Sequence, residues 1–384
     1  MTKNIFFCFA DRTSTILLGF VLFSQILGIQ PFAYPFLLLN TFLFFKSSTK
    51  SCVLLLVFTT LSSVTFISVL FRGGSTELAL ALIRFFYGTF LAAALIGCSK
   101  KRFTTVHWVC FGGLCVAELM FSNFYIELPY VSRFINKTFE GRNLIDNSLY
   151  RVLGPCLNSS VSGSLCFILA FFLLLKRKSN GTYLIYGPYK NLQHLVIILL
   201  FIAGLSCGSG TANATFLFLL IAFCITSKSK IIKFIKNKRR LRQILETCLL
   251  VVLLVFVAEV LFPRILTGLL FGKYENDYLR VILELKTYEL LDLYNPQNWS
   301  NILFGITYET KESINCFGGD FVLLSLVREL GLIALGCLLI LFFCFTKRKY
   351  WYLTSAFIIS SVHYGTAFSL TGQIILGYLI SLEE

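Results

Sequence analysis

The chain has 384 residues, 57% hydrophobic and 14% charged, with a formal net charge of +15 and a mean hydropathy of +0.78. A soluble domain carries roughly 25% charged residues, so this composition predicts an integral membrane protein and excludes a disordered, collagen-like or disulfide-framework chain. Runs such as 52–71 and 321–345 stay apolar over the roughly 20 residues that a spanning helix needs. A transmembrane β-barrel, with segments of about ten residues alternating apolar and polar, is excluded as well.

In chain order, apolar runs predict spans over 14–30, 31–45, 52–71, 78–98, 103–126, 156–175, 192–207, 211–226, 244–262 and 321–345. Lys3 and Arg12 precede the first run, and no small-residue cleavage site follows it, so that span is expected to stay as an anchor. A last block, 352–380, exceeds one span and is interrupted by Gly365 and Gly372; it is one span plus a re-entrant piece, or two short spans. The expected fold is an all-α polytopic membrane protein of about 11–12 transmembrane helices, forming a single membrane domain over residues 1–384.

Charge placement sets the orientation. Basic clusters at Lys46 and Lys50, Lys100–Arg102, Lys176–Lys178, Lys228–Arg242 and Lys347–Lys349 fall in every second loop, the pattern that keeps such loops in the cytoplasm. No aromatic and basic interleaving points to nucleic acid. Two larger outward loops result, 127–155 and 263–320. Within the second, Val281, Ile282, Leu285, Tyr288 and Leu291 recur at helical spacing among charged residues, which predicts an amphipathic helix over 277–294 lying on the outer interface.

Ionisable residues inside apolar runs are costly and raise a functional question. Arg84 lies about 9 Å and Glu118 about 12 Å below the outer ends of their spans, at 1.5 Å per residue. They are within reach of an intramembrane ion pair joining two helices; lining a polar cavity is the alternative. His107 and His194, near cytoplasmic helix ends, are expected to cap or snorkel. The 13 cysteines form no CxxC pair. Cys156, Cys207 and Cys316 fall near the outer face, where an oxidising compartment permits pairing, but spacing does not fix their separation.

Outward arginines run against the topology rule. Arg133, Arg142, Arg151, Arg264 and Arg280 are therefore candidate partners of an anion, with contact to lipid headgroups the alternative for each alone. Arg151 precedes Gly154-Pro155 and Asn158-Ser159-Ser160 where a span begins, and an exposed helix N-terminus beside a guanidinium suits phosphate. The glycines of 206–211 lack the Walker pattern and its Lys.

At the end of the large loop, Asp320 is followed by Leu324 and then Gly331, running into a span. This spacing resembles the O-antigen ligase and O-antigen polymerase (Wzy-type) superfamily. Trp299 to Gly305 is similar to the turn before that motif, Arg280 to the family's loop arginine, and Arg151 with Gly154 to the arginine opening an earlier span. Ligases place His where Asp320 stands, so the chain looks more like a polymerase. The resemblance implies a GT-C-like, metal-independent glycosyltransferase without a cofactor, in the bacterial inner membrane with a periplasmic active face. It would join undecaprenyl-pyrophosphate-linked repeat units into O-antigen polysaccharide, alongside a chain-length regulator and a flippase of the same pathway.

On that chemistry, Arg151 and Arg280 would ease departure of the pyrophosphate, with Arg142 and Arg264 as further substrate-binding candidates. Asp320, at the boundary of loop and membrane, would take the proton of the attacking hydroxyl. A ligase differs in acceptor. A flippase or permease is the rival from another class, and the long charged loop argues against it.

Overall fold

The computed structural model describes residues 49–71, 76–83, 105–124, 152–179, 192–235, 350–363 and 370–381 as continuous segments, with shorter pieces within 16–39, 303–304, 331–346 and 365–369. Regular structure among the described residues is helical, with no strand. The helices are α1 (Thr49–Phe71), α2 (Thr76–Ile83), α3 (Thr105–Phe124), α4 (Ser159–Ser179), α5 (Leu192–Ser206), α6 (Gly210–Ile235), α7 (Trp351–His363) and α8 (Leu370–Ser381). The run expected at 244–262, most of those at 31–45 and 78–98 and the first ten residues of 321–345, together with nearly all of both expected outward loops and the 277–294 helix, lie outside the described residues.

The chain forms two compact units, with the boundary inside α3. One comprises Met1–Trp108, Tyr183–Lys190 and Glu275–Glu384, the other Val109–Thr182 and Asn191–Tyr274. In the second unit α4 packs against both α5 and α6. Every residue from Leu165 to Leu173 is buried, as expected of a helix apolar all round that forms a core. Small residues allow the approach: a Cβ on Gly163 would lie 2.8 Å from Ala212 Cβ, and one on Gly204 would lie 2.7 Å from the Phe167 ring. The rings of Phe167 and Phe216 lie tilted by 37° with centroids 4.9 Å apart, and Phe171 meets Phe201 edge-on at 5.6 Å. Such pairs each add about 0.5–1.5 kcal/mol beyond area burial.

In the first unit α1 packs against α2 while leaving Leu56, Ile67 and Phe71 exposed. Cys52–Phe71 is long and apolar enough to cross a membrane, and Val106–Leu119, Ser159–Leu174, His194–Ser206, Gly210–Thr226, Gly331–Ile340 and Trp351–Val362 are shorter apolar helices. The last apolar block resolves into α7 and α8 with an interruption at 364–369. Its backbone groups are met locally: Ser369 Oγ donates to Thr366 O (3.0 Å) and accepts from Gly372 N (3.0 Å), and Thr366 Oγ1 donates to Ser360 O (3.3 Å). The Thr371 hydroxyl donates to Leu22 O at 3.5 Å, tying the start of α8 to the N-terminal helical segment. His107 does not snorkel: it is buried, with Nε2 3.2 Å from where a Cβ on Gly19 would lie.

Candidate functional site

The most constrained polar arrangement among the described residues lies in the second unit, where the chain enters α4. Glu118 stands on α3, one turn beyond Cys115. Its two carboxylate oxygens accept from consecutive backbone donors, Leu153 N and Gly154 N, both at 2.8 Å. Successive N–H groups converge on one anion when the second residue turns left-handed, and Gly154 has φ +63°. Hydrogen bonds to a charged acceptor contribute about 1.5–3 kcal/mol each, more than neutral ones.

Gly154 is required on two counts. Its φ disfavours an L side chain, and a Cβ there would lie 2.8 Å from both Cys115 Sγ and Ser162 Oγ. Ser162, one turn into α4, holds the same turn from the other side: its hydroxyl donates to Leu153 O (2.6 Å) and accepts from Cys156 N (3.2 Å). Leu157 N closes the turn on Gly154 O at 3.0 Å, and Leu157 itself has φ +50°. The peptide groups from Leu153 to Leu157 are thus fixed by a carboxylate, a hydroxyl and each other.

Asn158 then caps α4, its Oδ1 accepting from Ser160 N (3.0 Å) and Val161 N (3.1 Å). The helix N-terminus expected to be open to phosphate is therefore closed: Asn158 takes the donors an anion would use, and Ser159 and Ser160 are 5% and 2% exposed. The Ser160 hydroxyl instead meets that of Ser209 at 2.5 Å. Ser209 sits in the tight turn after α5, where Gly208 has φ +54°.

Cys115, Cys156, Cys166 and Cys207 are buried in this unit as free thiols, and the Cys115 thiol donates to Phe111 O at 3.7 Å. Among the described residues, no group of three or more His, Cys, Asp or Glu is arranged to hold a metal ion.

Of the site residues expected from sequence, Glu118 is placed, and the structure gives its carboxylate two backbone partners in addition to any charge it meets. Arg84, Arg142, Arg151, Arg264, Arg280 and Asp320 lie outside the described residues. Arg151 is joined directly to the turn, since the described segment begins at Val152. Gly331, the glycine of the Asp320 motif, is buried with φ +77° at the start of the described helix Gly331–Ile340. Ser162 and the Glu118 clamp were missed by sequence reasoning; Gly before Pro, four residues ahead of Asn158, was the one available sign of a built turn. No protein-family model matches the chain, and neither curated proteins nor solved structures give a match.

Proposed function

We propose that the chain is a polytopic inner-membrane glycosyltransferase of about 11–12 spans that polymerises undecaprenyl-pyrophosphate-linked repeat units into O-antigen on the periplasmic face. A membrane setting is supported by large apolar side chains left on helix surfaces, including Phe71, Leu56, Leu217, Ile221 and Ile225. In water such faces would form aggregating patches, whereas hydrocarbon solvates them.

The observation that carries the polymerase reading concerns glycine. Positive φ occurs at three glycines among the described residues: Gly154, Gly208 and Gly331. Two of them are the glycines of the Arg151 and Asp320 motifs on which the resemblance rests, so each motif has a backbone reason for its glycine. A turn held as firmly as 152–157 is also a suitable mount for a guanidinium that must meet a departing pyrophosphate without reorganising. Arg151 and Arg280 then neutralise the leaving group, and the Asp320 carboxylate accepts the proton of the acceptor hydroxyl as it attacks the anomeric carbon.

Deleting the gene and resolving surface lipopolysaccharide on gels tests the reading. A single repeat unit on the core is the expected product. An unmodified core would point to a ligase or flippase, and an unchanged ladder would end the proposal. Complementation with Asp320→Asn should restore roughly 10²- to 10⁴-fold less activity than wild type if Asp320 is the base. Full restoration would reduce Asp320 to a helix cap, which Asn fills equally well.

A further inference from the structure

We propose that the end of the second unit where α4 and α6 turn basic binds the headgroup of an anionic phospholipid, with an acyl chain along the exposed apolar face of α6. The inference rests on the membrane setting proposed above and is independent of the polymerase reading. α4 and α6 run side by side in the same direction. Near their N-terminal ends the hydroxyls of Ser160 and Ser209 are 2.5 Å apart and those of Ser164 and Thr215 3.4 Å apart; farther along, the rings of Phe171 and Phe223 meet at 5.8 Å. Five residues beyond that ring contact each helix carries a lysine, Lys176 after Phe171 and Lys228 after Phe223. At 1.5 Å per residue both stand about 7.5 Å past the rings, so the helices bring them to one level. Each lysine opens a basic run: Lys176, Arg177 and Lys178 before α4 ends at Ser179, and Lys228, Lys230 and Lys233 before α6 ends at Ile235. Two runs distant in sequence are thus gathered at one end of one unit.

The helices that gather this charge do not offset it. α4, α5 and α6 contain no Asp or Glu, and neither does any position from 147 to 245. Glu118 of α3 stands at the opposite end of α4, at the turn that enters it. The C-terminal ends of two helices supply about half a negative charge each, roughly one against six. The imbalance calls for anions from outside the helices, and the adjoining surface gives their class. Leu217, Ile221 and Ile225 of α6 are exposed, and a spacing of four residues lines them along one helix face. Lys228, three residues after Ile225, falls on the same face by register. A soluble phosphate would meet the charge and leave this apolar stripe bare, whereas an amphiphile with an anionic head meets both. From Leu217 to Lys228 the helix rises about 16.5 Å, close to one leaflet of a hydrocarbon core about 30 Å thick. Basic clusters immediately beyond a membrane-embedded helix are suited to anionic headgroups.

The test titrates the full chain, purified in detergent, with phosphatidylglycerol or phosphatidylcholine in mixed micelles and counts bound lipid by native mass spectrometry. Each Lys or Arg near an anionic surface is worth about fivefold in binding. Neutralising the α6 run (Lys228→Gln, Lys230→Gln, Lys233→Gln) should therefore weaken the first phosphatidylglycerol bound by roughly tenfold or more while leaving phosphatidylcholine unchanged. The α4 run (Lys176→Gln, Arg177→Gln, Lys178→Gln) should do the same, because both helices meet one headgroup. Neutralising Lys347, Arg348 and Lys349, an equal charge elsewhere in the chain, should leave that first site intact. Lys228→Gln alone should cost about fivefold, and it carries the comparison should a triple variant fail to fold.

A loss from one of the two runs only, no loss from either, or an equal loss from the Lys347–Lys349 variant would overturn the shared site and leave the membrane setting standing. Displacement of phosphatidylglycerol by millimolar inorganic phosphate at constant ionic strength would overturn the lipid in favour of a soluble anion. A chain that stays in solution when cell membranes are pelleted would instead overturn the membrane setting itself.

Discussion

Two places where the helical chain breaks stand in contrast, the turn 152–157 entering α4 and the interruption 364–369 between α7 and α8. Both rely on glycine and on side chains that take up freed backbone groups, because an unsatisfied peptide group in apolar surroundings costs several kcal/mol. They differ in means. At the break before α8 the partners are the neutral hydroxyls of Thr366 and Ser369, which bond to Ser360 O in the helix before it, to Thr366 O within it and to Gly372 N in the helix after it. At 152–157 a carboxylate from another helix, Glu118, is brought in beside the Ser162 hydroxyl. Hydroxyls suffice at the break before α8, whereas the turn entering α4 draws in a carboxylate that stands 35 residues before Leu153 in the chain.

That contrast can be broken most severely at the neutral break. A Cβ on Gly372 would lie 1.6 Å from the Thr366 carbonyl oxygen, a backbone atom that cannot swing away. Gly372→Ala should therefore cost more than about 3 kcal/mol, beyond ordinary overpacking, and remove most of the folded protein. Normal yield and melting in detergent would mean that the chain does not close tightly around Gly372.

The charged turn offers a graded comparison. Gly154 and Gly208 both have positive φ, but a Cβ at Gly208 meets nothing within 4 Å, whereas at Gly154 it meets Cys115 and Ser162. Gly208→Ala should cost about 1–2 kcal/mol, from conformation alone. Gly154→Ala should add about 1–3 kcal/mol of overlap to that. Equal melting temperatures for the two variants would refute the close packing around the clamp.

Where the described residues cover them, the apolar runs at 103–126, 156–175 and 192–207 were legible to within a few residues. Runs 103–126 and 192–207 appear as Thr105–Phe124 and Leu192–Ser206. Run 211–226 falls short of α6, which continues to Ile235 through Lys228, Lys230 and Lys233, because a helix past the apolar region needs only good helix formers. Run 156–175 starts three residues before α4, since Asn158 acts as the cap. Gly365 falls in the last interruption, but Gly372 lies inside α8, where a Cβ would meet Thr366 O. The partners of Glu118 were not legible: a search for opposite charge overlooks backbone donors, and two successive N–H groups face one way only after Gly154 has turned left-handed. The burial of His107 against Gly19 was hidden for a similar reason, as it depends on a contact distant in sequence.

The mildest change speaks most directly to what the charged turn is for. Asn158→Asp keeps an acceptor for the Ser160 and Val161 amides, and Asp caps a helix about as well as Asn. It also places a full negative charge at the positive end of α4, adding about 0.3–1 kcal/mol to stability at low salt. If the turn serves only to start a helix, the variant should melt slightly higher and behave as wild type otherwise. If an anion is bound beside it, the same charge opposes that anion. At about 8 Å and the dielectric constant of water, the repulsion is about 0.5 kcal/mol, a two- to threefold loss of affinity for farnesyl pyrophosphate, a short polyprenyl pyrophosphate. Because charges exposed to solvent are screened within about 3 Å at 1 M ionic strength, the loss should disappear at high salt. A variant that is more stable, binds more weakly and recovers with salt would separate the two roles of the turn; unchanged affinity at low salt would place the pyrophosphate elsewhere.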